Sequence, residues 1–201
     1  MKHKINEELS KNDPIPELSR ANSRLGIILF GPPAVGKSTF FKNYILPRCK
    51  NLKSFSSDDI SFLITGDHND RKSGSSLLTV KKLKNYIKTG QNYVYDTTGK
   101  DDSNILSICD ISRKFKYKII FIHVFSDLQS SIIANLGRSR RVSKTYLEFS
   151  HSVQFFKMIK YFNDISPENY YLIFRNNHNY QFYKYDGNSI FRKSIDGYLS
   201  I

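Results

Sequence analysis

The chain of 201 residues has no tryptophan, only two cysteines and two methionines, and 18 acidic residues against 31 lysines and arginines. Each scarcity removes a class of protein. Cys49 and Cys109 lie far apart with no metal-ligand spacing around either, which excludes a disulfide scaffold and a zinc site and fits a reducing, cytoplasmic setting. Long apolar runs are missing too: Leu25–Phe30 and Ile119–Phe125 are the longest and too short to cross a bilayer, and Met1–Arg20 is too polar for a signal peptide. No membrane role is expected. Internal repeats and low-complexity tracts are also absent. The shortage of acid leaves a net charge of +13 scattered along the chain, and such a surface attracts polyanions through counterion release. The same Lys-, Asn-, Ile- and Tyr-rich composition also arises in A/T-rich genomes, those of many phages included, so charge alone leaves both explanations open.

What is present is an alternation of strand and helix signals. Leu25–Phe30 reads as a buried strand and Lys37 to Pro47 as a helix; a strand at Leu52–Ser56 leads into Ser57-Asp58-Asp59 and a polar stretch through Gly74. A helix over Ser75–Lys88 is stopped by Gly90. The strand Tyr93-Val94-Tyr95 delivers Asp96 at its end, and Ile105, Ile108, Cys109 and Ile111 mark an amphipathic crossover helix. Lys118–Phe125 is a strand, Asp127–Asn135 a helix, Gly137–Arg141 a basic turn and Lys144–Phe162 a long helix with an aromatic face. Tyr170–Phe174 is a further strand, and Tyr180–Tyr185 with Ser189–Lys193 reads as a hairpin around Asp186-Gly187-Asn188. The pattern predicts a three-layer α/β fold with a mostly parallel, doubly wound sheet and ligands at the carboxyl ends of its strands. One domain is expected over residues 25–201, with a polar arm over 1–24, a helical lid over about 127–145 and a C-terminal β-hairpin over about 180–193.

Gly31-Pro32-Pro33-Ala34-Val35-Gly36-Lys37-Ser38 satisfies GxxxxGK[ST] between a strand and a helix, the context in which this pattern builds a phosphate loop. The two glycines permit the wrap, and backbone N–H groups from Ala34 to Ser38 face the β-phosphate at the start of a helix that Thr39 continues. Lys37 reaches the β- and γ-oxygens, and Ser38 holds Mg²⁺. ATP and Mg²⁺ are the expected cofactors. Asp96-Thr97-Thr98-Gly99 also fits the DxxG of a GTPase, but no Asn-Lys-x-Asp guanine-reading segment is present and the arginines near residue 140 suit transfer to a second substrate.

Three further segments, in order around the loop, resemble the polynucleotide kinase and zeta-toxin branch of P-loop kinases over roughly Leu25 to Phe162. Ser57-Asp58-Asp59-Ile60 is similar to that branch's Asp-Asp segment, Tyr95-Asp96-Thr97-Thr98 to its Asp-Thr-Asn element, and Asn135-Leu136-Gly137-Arg138-Ser139-Arg140-Arg141-Val142 to its lid. The resemblance implies that Asp58 is the general base for the acceptor hydroxyl, and that Arg138 and Arg141 neutralise charge on the transferring phosphoryl group. Asp96 then holds Mg²⁺ through water or positions the acceptor, unless it merely shapes a turn. Asp59 is expected to cap the following helix. Where phage polynucleotide kinases place an arginine after the Asp pair, this chain has Ile60-Ser61-Phe62, and Arg71 is the nearest substitute.

The implied activity is ATP-dependent phosphorylation of a hydroxyl on nucleic acid or a nucleotide. A 5′-hydroxyl end is the default acceptor and a hydroxymethylpyrimidine of phage-type DNA a variant. A small-molecule kinase acting on a nucleotide sugar or metabolite, and a non-catalytic nucleotide-gated nucleic-acid binder, are the alternatives. His123 reads as a core residue. The aromatic series Tyr146, Phe149, Phe155, Phe156, Tyr161 and Phe162 reads as a buried helix face.

Overall fold

Strands whose residues bury both faces need helices on both, and the computed structural model shows that arrangement; it describes residues 15–19, 24–49, 51–67, 74–167, 169–176 and 179–185. The strands are β1 (Leu25–Phe30), β2 (Lys53–Ser56), β3 (Tyr93–Thr97), β4 (Lys118–Ser126), β5 (Asn169–Asn176) and β6 (Asn179–Tyr185), in the order β2-β3-β1-β4-β5-β6. The first five are mutually parallel and β6 runs antiparallel to β5. The helices are α1 (Pro16–Ser19), α2 (Lys37–Phe40, continued by a π-helical turn Phe41–Ile45), α3 (Ser57–Thr65), α4 (Ser75–Ile87), α5 (Asp102–Lys114), α6 (Leu128–Leu136), α7 (Lys144–Ser152) and α8 (Gln154–Ile165).

Period-two alternation divides the core. Ile28 and Phe30 of β1, Phe121 and Phe125 of β4 and Leu172 of β5 pack under α4, α5 and α8, through Leu83, Ile108, Met158 and Tyr161. Ile27 and Leu29, Ile120 and Ile122, and Ile173 face the other way, against Phe40 and Ile45 of the α2 segment. Four helices start on a side-chain cap three residues ahead of the N–H it accepts: Ser56 for Asp59, Asp101 for Asn104, Asp127 for Ser130 and Ser143 for Tyr146. Among the described residues no helix is long and apolar enough to cross a membrane, and Cys49 and Cys109 are buried and not joined in a disulfide.

Several boundaries differ from the sequence reading, each for a tertiary reason. Tyr180–Tyr185 forms a strand as expected and also pairs antiparallel with β5, Tyr170 opposite Tyr185; the anticipated hairpin partner, 189–193, lies outside the described residues. The described part of the N-terminal arm is docked: Ile15 and Leu18 are buried, and the Tyr171 hydroxyl donates to Glu17 over 2.5 Å. The polar stretch after Asp59 begins as a helix, α3, capped by Ser56 rather than by Asp59. The helix expected over Lys144–Phe162 breaks at Val153. There Gln154 turns its side chain inward, so that its amide donates to the Ser150 carbonyl over 2.7 Å while Oε1 meets His123 Nε2 at 2.8 Å. The break splits the aromatic series: Tyr161 is buried, whereas Phe149 and Phe156 are exposed.

Candidate active site

Lys37, Asp58, Asp96 and Arg138 gather at the carboxyl edge of the parallel sheet. Register places Phe30 beside Thr97 and His123, and Ser56 beside Asp96, so the loops after β1, β2, β3 and β4 open onto one crevice.

The phosphate loop has the backbone its motif requires. Ala34 (φ 64°) and Gly36 (φ 95°) are left-handed on either side of buried Val35, the alternation that turns successive N–H groups inward as an anion nest. Gly31 has φ 149°, and a Cβ there would lie 2.2 Å from the Val124 carbonyl oxygen; one on Gly36 would lie 3.0 Å from the Arg175 guanidinium. Helix α2 begins at Gly36 with no side-chain cap, leaving its first N–H groups to an anion. Lys37 Nζ donates to the carbonyls of Gly31 and Pro32, each at 3.0 Å, which closes the loop on itself and leaves one ammonium N–H to point outward. Burial presses the Lys37 pKa below its usual value; Asp96 and Asp58 oppose that and Arg138 adds to it, so all four groups share one electrostatic environment.

Asp96 closes β3 partly buried. Burial lifts its carboxyl to about 6, with Lys37 and Arg138 pulling down and Asp58 and Asp59 pushing up. The turn after it is anchored: Tyr161 donates to Asp102 at 2.5 Å, Lys160 pairs with the same carboxylate at 2.6 Å, and Lys157 bonds the Gly99 carbonyl. The Asp96–Gly99 turn is thus fixed to α8.

Asp58, in the first turn of α3, is half exposed, and its Oδ1 lies 2.6 Å from Nη1 of Arg140. Of the three arginines at 138–141, Arg140 is the one paired with Asp58. Arg138 is exposed, though its charge is felt at Lys37 and Asp96, and Arg141 is exposed with no hydrogen bond or ion pair among the described residues. Of the expected pair Arg138 and Arg141, only Arg138 is felt at Lys37 and Asp96, and Arg140 is the arginine paired with Asp58. The lid turn owes its shape to buried Asn135, whose amide donates to the Val142 carbonyl at 2.9 Å and whose oxygen accepts the Val142 N–H at 3.1 Å. No local pattern marks that clamp. Arg71 lies outside the described residues.

Two side chains at the site went unassigned in the sequence. Arg175, ending β5, sits against Gly36. His151 of α7 is buried with Nε2 lacking a hydrogen-bond partner in the structure, and burial lowers its pKa to about 4, Asp127 opposing and Lys37 adding. His123, stacked on Phe30 at 3.9 Å, is a core residue as the sequence implied and is likewise held neutral by burial. Between about pH 6.5 and 4 the unfolded chain therefore binds protons that the folded chain refuses, and stability falls as pH falls. His151→Gln should flatten that slope, recovering about 2 kcal/mol at pH 4.5 relative to pH 7 in urea titrations. Identical slopes in variant and parent would show that His151 does not titrate in this way.

No protein-family model matches the chain, and no curated protein matches it. Solved structures do. A chain of the AvrRxo1-ORF1:-ORF2 complex crystallised with ATP matches with a TM-score of 0.61 at 15% identity, over 90% of this chain and 66% of that one. The PezAT chromosomal toxin-antitoxin system of Streptococcus pneumoniae matches with 0.62 at 11% identity, over 94% and 83%. The Pnkp1/Rnl/Hen1 RNA repair complex matches with 0.57 at 15% identity, over 70% and 48%. This chain therefore spans just under two thirds of the AvrRxo1 chain. At these identities the likeness is one of fold alone, an α/β arrangement around a mostly parallel sheet.

Proposed function

We propose that this protein is an ATP-dependent kinase that transfers the γ-phosphoryl group to a hydroxyl on nucleic acid or a nucleotide. The observation that carries the reading is the placement of Asp58 at the crevice that holds Lys37: an open phosphate nest with a carboxylate beside it is what an acceptor hydroxyl and a triphosphate need in common. Asp58 accepts the hydroxyl hydrogen bond and then its proton. Lys37, Arg138 and the N–H groups from Ala34 to Ser38 offset the charge on the phosphates.

The donor group fits the loop, since the left-handed φ of Ala34 and Gly36 turns successive N–H groups inward and the start of α2 is uncapped. For Mg²⁺ the donors are all oxygen: the exposed Ser38 hydroxyl on α2 and the Asp96 carboxylate. No cluster of three His, Cys, Asp or Glu side chains exists among the described residues, and Mg²⁺ bound by phosphates and water needs none. When bound, the ion supplies charge neutralisation at the phosphates.

The net charge of +13 favours a polyanionic acceptor, as does a structural neighbour named for an RNA repair complex. The neighbour from a toxin-antitoxin system, together with Ile60-Ser61-Phe62 in place of an acceptor-binding arginine, supports the second reading, a nucleotide-sugar or metabolite kinase. Incubation with γ-labelled ATP, Mg²⁺ and a panel of 5′-hydroxyl DNA and RNA, hydroxymethylated DNA, nucleotides and nucleotide sugars separates them. Label should appear on a nucleic acid or nucleotide; label on a nucleotide sugar alone would select the second reading, and label on none would defeat both.

A further inference from the structure

Positive charge is not spread evenly over the described surface. Lys144, Lys157, Lys160 and Lys184 each stand within 4.0 Å of a carboxylate. Along the β2 side of the sheet the lysines have no such partner: Lys53 of β2 and Lys81, Lys82 and Lys88 of α4 are exposed, and none is in an ion pair among the described residues. The sequence supplies no aspartate or glutamate from 18 to 57 or from 71 to 95. A lysine-rich composition accounts for the total charge, but not for the exclusion of acid from one edge. Lys81 and Lys88, two helical turns apart, share one line of α4 with exposed Leu77 at its head. They span about 10 Å of helix axis, the rise of about three nucleotides of one strand. Lys53 adds its charge from the sheet edge, its ammonium 5.2 Å from the centre of the Tyr86 ring of α4.

The ridge begins at the acceptor crevice. Thr79 of α4 donates to the carbonyl of Ser56, two residues before Asp58, over 3.4 Å, and α3 packs beside α4. At that end the exposed side chains are apolar: Phe62, one helical turn after Asp58, with Leu63 on α3 and Leu77 on α4. Apolar and aromatic surface followed by a line of ammonium groups suits one strand whose end base is unstacked and whose phosphates continue along the helix. A double helix keeps its bases stacked inside and offers none to Phe62.

We propose that the exposed ridge of α4, with Lys53, is the track on which a single-stranded nucleic-acid acceptor lies, its hydroxyl end at Asp58 and its phosphates on Lys81, Lys82 and Lys88. This deepens the nucleic-acid reading above and rests on it. No bond forms or breaks on the ridge. It holds the strand alike before and during transfer, so it lowers the acceptor KM and leaves kcat to the crevice. A nucleoside reaches Asp58 without touching α4, so a long acceptor gains over a short one.

The test follows, in the full chain, the binding of a labelled single-stranded 5′-hydroxyl dodecamer by fluorescence anisotropy as salt is raised, and transfer to the dodecamer and to a nucleoside. Lys81→Gln with Lys88→Gln should flatten the slope of log affinity against log salt by about 1.4, at about 0.7 per phosphate contact on a single strand. That amounts to roughly tenfold weaker binding at about 0.15 M salt, with parent and variant converging near about 1 M. The KM advantage of the dodecamer over the nucleoside should shrink by a similar factor. Glutamine is a good helix former at exposed positions, so the fold persists. Lys42→Gln with Lys184→Gln removes the same charge from the β6 side, where the Tyr44 ring meets Phe182 at 5.3 Å, and should change the slope far less. Equal flattening in both double variants, or a dodecamer advantage that survives Lys81→Gln with Lys88→Gln, would overturn the track. So would a variant that binds the dodecamer as the parent does but no longer binds phosphatidylserine vesicles, which would assign the ridge to a lipid surface. Failure of the kinase reading looks different: no acceptor takes label, while anisotropy still reports whether α4 holds the strand.

Discussion

Replacing Lys37 with alanine is expected to lower phosphoryl transfer by at least about 10³ while the fold persists. Within the protein, the Lys37 ammonium bonds the carbonyls of Gly31 and Pro32 and supports no packed core, so its loss costs little of the folded state. What it removes is the ammonium of the loop proposed to hold the phosphates, in a site where burial depresses its own pKa and desolvation strengthens every charge interaction. Single-turnover transfer with saturating acceptor, alongside thermal unfolding, separates the two effects. A variant that keeps parental transfer would show that the triphosphate does not lie on this loop.

The second large effect is at Asp58. Asp58→Asn keeps the shape and an oxygen for Arg140, removes the proton acceptor, and should reduce kcat by about 10²–10⁴, the range for a general base. ATP affinity should change by no more than a few-fold, because the lost group faces the acceptor. The side chain is 48% exposed, so the midpoint of denaturation should hardly move, as for most surface substitutions within about 0.5 kcal/mol. Transfer at the parental rate would shift the base to Asp59 or Asp96. Asp59 is the weaker candidate: it occupies the first turn of α3, where its backbone N–H is taken by Ser56.

Much of this architecture was legible beforehand because it is written in local, periodic terms. The strands Leu25–Phe30 and Lys118–Ser126 are nearly continuous apolar runs, as buried parallel strands must be. The helix over Ser75–Ile87 ends close to a Gly90 that sits at φ 78°, where glycine is least strained. The errors fall where a distant contact outweighed a local preference. The arm before Leu25 reads as polar and loose, yet Ile15 and Leu18 are buried against the sheet's apolar cluster. Lys144–Phe162 is helix-forming throughout, yet Gln154 answers to His123 on another strand.

By itself the sequence determined the GxxxxGK[ST] loop, the alternation of strand and helix, the carboxylates Asp58 just after β2 and Asp96 near the end of β3, and an arginine-rich turn at 137–141, because motif spacing and side-chain period are properties of neighbours along the chain. Only the tertiary structure decided which arginine faces the crevice. Arg138, Arg140 and Arg141 are chemically equivalent within three residues, and the choice among them depends on the path of a turn held by Asn135 and on the reach of a carboxylate some 80 residues away. That selection is a matter of distance and direction in space, and spacing along a chain carries neither.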